Sequence, residues 1–183
     1  MTNLETRVIR TRRKTMSLEI SDDLKILVRA PKHINEEQVT EFIAKNELWL
    51  KKRLTKKILE KKKLKSFKKM LKKDLLACKS SSQEMIDKLL EPLAGEMGVR
   101  YKKFRLSNAK KRWGSCNARS SINLSWKLVF APVNVVRYVL VHELCHIKHL
   151  NHSKAFWQEV EKHKPDYKNC QKWLRENNYL LSL

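Results

Sequence analysis

Val141-His142-Glu143-Leu144-Cys145-His146-Ile147-Lys148-His149-Leu150-Asn151-His152 is the stretch from which the rest of the chain can be read. His142 and His146 are spaced so that on a helix they stand one turn apart on the same face, where two imidazoles reach one metal ion. Glu143, beside them, is placed to take a proton from a metal-bound water. Val139, Leu140, Val141, Leu144 and Ile147 surround this polar group, which predicts a buried helix with one wet edge. Two histidines and a glutamate are costly to bury there without a partner, and a metal is the partner this spacing suits.

A catalytic zinc site takes three protein ligands and keeps a fourth position open. His149 and His152 compete for the third place. On a continued helix His149 lies about 10 Å along the axis from His142, which is awkward for one small ion. His152 requires the helix to stop near Leu150. Asn151 tolerates a left-handed turn there, and Ser153 is a good N-cap for a following helix. The favoured set is His142, His146 and His152 around one zinc ion, with Glu143 catalytic and His149 a solvated residue at the helix end. The histidine spacing equals that of the metzincin pattern H-E-x-x-H-x-x-G-x-x-H, but His149 stands where that pattern has glycine, so the turn must differ.

The 183 residues include 41 Lys and Arg against 19 Asp and Glu, a net charge of +22. That length gives one domain with a real core, plus at most a small appendage. The charge favours polyanions such as nucleic acid, nucleotide phosphates or an acidic membrane surface; the plainer alternative is a solvated lysine-rich face. Cys78, Cys116, Cys145 and Cys170 show no C-x-x-C spacing, which argues against a cysteine zinc site or redox pair. Cys145 and Cys170 read as small buried hydrophobes in a reducing compartment. No apolar leader and no stretch of membrane-spanning length is present, so a soluble, cytoplasmic protein is expected.

Read in order, Arg7–Arg10, Ser17–Ile20 and Leu24–Arg29 look like strands, with Arg12, Arg13 and Lys14 in a hairpin turn between the first two and a turn at Asp22-Asp23. Asn35 caps a helix. From Lys51 to Lys73 a lysine-rich helix follows, with a break near Ser66 and Leu54, Ile58, Leu64, Phe67 and Leu71 as its apolar stripe. Ser80-Ser81-Ser82 is the best internal boundary, which divides the chain into 1–79 and 80–183. Ser82 would cap a helix ending at Gly95 and Gly98, with a kink at Pro92. Residues 99–130 read as a small sheet, including strands over Lys111–Cys116 and Ser121–Trp126. Gly114 inside a strand signals a bulge or a close passing backbone. An edge strand of such a sheet could hold an extended peptide. Trp113 and Trp126 read as core. Pro132 opens the metal helix, and Tyr138 lies one turn before His142, as a core residue or with its hydroxyl at the site. Helices after Ser153 and Pro165 would wall in the metal. The class is α+β.

These residues together resemble the YgjP-like metallopeptidase family, related to the SprT-like and WLM zincins. The likeness rests on Arg10-Thr11-Arg12-Arg13-Lys14-Thr15, Ala30-Pro31, Leu48-Trp49-Leu50, Arg112-Trp113-Gly114-Ser115-Cys116, Ile122-Asn123-Leu124, the His142–His146 motif, Asn151–Trp157 and Pro165-Asp166-Tyr167. It implies a zincin-like core, with a small twisted sheet packed on the metal-binding helix, an N-terminal β-hairpin region and basic helices outside it. It also implies ligands His142, His146 and His152 with Glu143 catalytic. The function expected first is a zinc-dependent hydrolase that cleaves amide bonds in protein or peptide substrates. Two alternatives stand beside it: UTP pyrophosphatase activity, with Arg112 among the phosphate-holding groups, and a DNA-associated SprT-like protease using the basic surface. A purely structural zinc site is disfavoured, because three histidines leave the fourth position open.

Overall fold

The structure, a computed structural model, describes residues 5–183. The chain forms two units, Met1–Lys65 and Ser66–Leu183.

In the first unit, strands β1 (Thr6–Thr11), β2 (Ser17–Ile20) and β3 (Ile26–Pro31) form a sheet of order β1-β3-β2. The central strand β3 runs parallel to β1 and antiparallel to β2. This corrects one expectation. Arg12, Arg13 and Lys14 do not sit in a hairpin turn, because β1 does not pair with β2. The hairpin is β2–β3, turning through Ser21–Lys25, where the Ser21 hydroxyl accepts from the Lys25 N–H at 3.1 Å. Alternation predicts a strand's faces but not its neighbour, since the period of two is the same for any partner. Ile26, Val28 and Ala30 alternate inward and join Val39 of helix α1 (Glu36–Lys45) and Leu50 in one apolar cluster. Asn35 caps α1 in a reciprocal pair with Gln38.

Helix α2 (Glu47–Glu96) is unbroken at both Ser66 and Ser80–Ser82, and the boundary between the units falls inside it. Asp74, not Pro92, is the residue whose backbone leaves helical angles, at φ −134° and ψ 36°. Serine is only a weak helix breaker, and Leu71, Ser82, Ile86, Leu90 and Leu93 turn inward at helical spacing, so packing overrides local propensity. Gly98, at φ 61°, ends the turn that follows the helix.

The second unit holds β4 (Lys103–Ser107), β5 (Gly114–Cys116) and β6 (Ser121–Ser125) in the order β4-β6-β5. Again the central strand is parallel to the first and antiparallel to the second. Strand β5 is shorter than the expected Lys111–Cys116. Ile122 and Leu124 of β6 enter the core, which continues through Leu128 and the inner face of helix α3 (Val133–Lys148). Pro132 is the N-cap of α3, and its carbonyl accepts from Val135 and Val136. Helix α3 packs against β5 on one side and against α4 (Lys154–His163) and α5 (Tyr167–Glu176) on others. The fold is α+β, a small sheet against a buried helix with supporting helices. No helix among the described residues is long and apolar enough to cross a membrane.

Candidate active site

Helix α3 ends one residue before His149, which is its C-cap in extended conformation. The chain then turns through Asn151 and returns His152 to the helix. The ring nitrogens of His142, His146 and His152 that could act as ligands all lie within 4.8 Å of one another. The Nε2 atoms of His142 and His152 are 3.1 Å apart, near the ~3.3 Å that two ligands at about 2.0 Å subtend across a tetrahedral ion. His149 contributes its backbone instead of its ring. Its carbonyl accepts from His146 Nδ1 at 3.1 Å, which puts the proton on Nδ1 and leaves the Nε2 lone pair of His146 free. On His142 the other nitrogen, Nδ1, faces the Tyr138 hydroxyl at 3.5 Å. Tyr138 is therefore both a core residue and a neighbour of the site.

Aromatic side chains set the three rings in place. Phe156, fully buried, lies under all of them, with centroids 4.9, 4.6 and 4.7 Å from His142, His146 and His152. Trp157 stacks on the exposed His152 at 5.6 Å, and Tyr167 stacks on Trp157 at 5.5 Å. Ser153 caps α4 by accepting from the Phe156 N–H at 3.4 Å, which fixes where Phe156 and Trp157 begin. Burial, then the neighbouring histidines, pushes His142 down to about 3, and burial also lowers His146. Neutral imidazoles are the form a metal needs.

Glu143 is buried on the β5 side of α3. A methyl group at Gly114 would come within 2.5 Å of Glu143 Oε1 and 2.9 Å of its Cδ and Cγ. The glycine is thus required because a side chain, not a backbone, presses against the strand. The Cys116 N–H donates to the Glu143 carboxylate, while Oε2 has no hydrogen-bond partner among the described residues. Burial pushes the carboxyl up to about 8, opposed by the charge of Arg112 and by that N–H. Three ring nitrogens that can share one metal, with a glutamate next to His142 in the chain that has an unpartnered carboxylate oxygen, are the groups a site for a metal and a water requires. The residues present fit a zinc ion. Burial and the Glu143 charge push the Cys116 thiol up to about 11, so it is a neutral neighbour and not a thiolate.

Residues 14–76 and 58–177 match the family described as YgjP-like, metallopeptidase domain. The chain belongs to the YgjP-like metallopeptidase family. Its members are metal-dependent hydrolases of the peptidase class, and this chain shares that family-level character. No curated protein matches it. Among solved structures, the metallopeptidase zymogen abylysin of Pyrococcus abyssi is similar over 50% of this chain and 93% of its own, at 26% identity and a TM-score of 0.45.

The structure brings the expected His142, His146 and His152 together and buries Glu143 against β5. Sequence reasoning did not find that β5 supports Glu143, nor the stack of His152, Trp157 and Tyr167. The signals available were Gly114 for the first and the Phe156-Trp157 pair just after the cap for the second.

Proposed function

We propose that this YgjP-like protein is a zinc-dependent peptidase in which His142, His146 and His152 hold one zinc ion and Glu143 moves the proton. The observation that carries this reading is the convergence of three ligand-capable ring nitrogens within 4.8 Å of one another, with a buried glutamate that has one unpartnered oxygen next to His142 in the chain. Zinc bound there would supply a Lewis acid that activates water near neutral pH and polarises a carbonyl. Glu143 takes the proton of the attacking water and delivers it to the leaving nitrogen. Its raised carboxyl pKa suits a group that must both accept and give a proton near neutral pH. Gly114 and the Cys116 N–H hold that carboxylate against β5. Strand β5 is at the edge of its sheet and beside α3, which supports an extended peptide as the substrate.

The test is Glu143→Gln. It should keep bound zinc and lose about 100-fold or more in hydrolysis of an unstructured protein such as casein. Wild-type turnover in that variant would remove Glu143 from the role. The rival activity, cleavage of UTP, is read by pyrophosphate release in the same preparation at the same zinc content.

A further inference from the structure

Beside Gly114 lies a cleft of about 190 Å³ lined by Ser107, Ala109, Arg112, Gly114, Ser115 and Asn123. Among the described residues, no hydrogen bond or ion pair occupies the side chains of Arg112, Ser115 or Asn123. Ser115 and Asn123 are direct partners across the β5–β6 ladder, so their side chains share one face of the sheet, the face opposite to that on which Gly114 meets Glu143. Arg112 is exposed, yet the loop that carries it is tied down at other residues. Asn108 accepts from Trp126 Nε1 at 3.1 Å, and the Ala109 carbonyl accepts from the buried Lys127 at 3.3 Å. The Trp113 carbonyl accepts from the Ser125 N–H at 2.8 Å, and the Trp113 ring packs against Trp173. Arg112 thus has no part in holding its own loop, and its charge acts on the carboxyl of Glu143.

We propose that this cleft is a subsite for an anionic group of the substrate, a carboxylate or a phosphate, held by the Arg112 guanidinium with Ser115 and Asn123 as supporting donors. This rests on the hydrolase reading and names the substrate class it selects. Arginine is the side chain whose fork of donors matches both oxyanions. The volume is below the ~300–1,000 Å³ of a site that encloses a whole small ligand. The cleft therefore takes one charged group, and a peptide extended along the edge strand β5 would point alternate side chains to this face and the others towards α3. A peptide would present an acidic side chain or its C-terminal carboxylate, and a nucleotide its phosphate.

The test uses zinc-loaded full-length protein and peptide pairs identical except for Glu or Gln at one position, with UTP as a separate arm. Wild type should prefer the acidic twin. Arg112→Leu should reduce that acidic-over-neutral ratio about 10- to 100-fold, chiefly through KM. Arg112→Lys should recover part of it, and Arg53→Leu, on the lysine-rich helix, should leave the ratio as in wild type. A nucleotide substrate would instead show the same KM effect on UTP. An unchanged ratio in Arg112→Leu, with UTP unaffected, overturns the proposal. A second readout needs no activity. In metal-free protein, inorganic phosphate at matched ionic strength should raise Tm more in wild type than in Arg112→Leu, and equal shifts overturn the subsite. If wild type cleaves neither peptides nor UTP, the hydrolase reading falls, while the phosphate shift still decides the cleft.

Discussion

Gly114 is where one hydrogen atom cannot become a methyl group, because Glu143 already fills the space. Gly114→Ala should cost about 1–3 kcal/mol, read by denaturant unfolding, and should lower turnover by displacing the carboxylate. An unperturbed variant would mean that Glu143 does not rest on β5. The carboxylate carries a pH signature as well. Its pKa is raised from 4.5 to about 8 in the folded, metal-free protein. Folding then takes up a proton, so the stability present below pH ~4.5 is lost as pH rises through about 8. Glu143→Gln, which cannot ionise, should therefore be more stable than metal-free wild type above pH 8, by up to about 5 kcal/mol, with the gap closing by pH 4.5. His142 has the opposite sign. Its pKa falls from 6.5 to about 3, so the metal-free protein should lose stability as acid takes the pH from 6.5 towards 3. A flat Tm profile across both windows in both proteins would contradict these burial effects.

The elements that carry the site were legible for local reasons. Pro132 and the apolar run around His142 specify α3, Ser153 specifies the start of α4, and the alternation of Ile122 and Leu124 specifies β6. The turn after Lys148 followed from the need to bring back His152. Other features lay beyond local pattern. The pairing of β1 with β3 is long-range, and a strand as short as Gly114–Cys116 leaves too few residues for a periodic signal. The continuity of α2 through Ser80–Ser82 depends on Ser82 and Ile86 being buried, which no single-residue propensity reveals. At this scale the prediction concerns α4. Its first turn places Phe156 under the three imidazoles and Trp157 against His152. Trp157→Ala should weaken zinc about 10- to 100-fold by freeing His152, measured by competition with a chelator. Phe156→Ala should cost about 3–5 kcal/mol of stability, since it empties a fully buried position. Wild-type zinc affinity in Trp157→Ala would show that the stack does not position the ligand.

For the molecule as a whole, a net charge of +22 predicts association with polyanions that weakens steeply with salt. Binding to a mixed-sequence DNA duplex, followed by fluorescence anisotropy between 50 and 200 mM salt (the range over which about six phosphate contacts would cost ~10³-fold), should fall in that manner. No binding at the low end would leave the lysines as a solvated face. The central claim is narrower than the charge and concerns one ion. X-ray absorption at the zinc edge, on protein loaded to one ion per chain, tests it most directly. The expected spectrum has nitrogen and oxygen donors alone, at about 2.0–2.1 Å, with imidazole scattering from three rings that drops to two in His152→Ala. A sulfur shell near ~2.3 Å, or an identical spectrum in His152→Ala, would contradict the account.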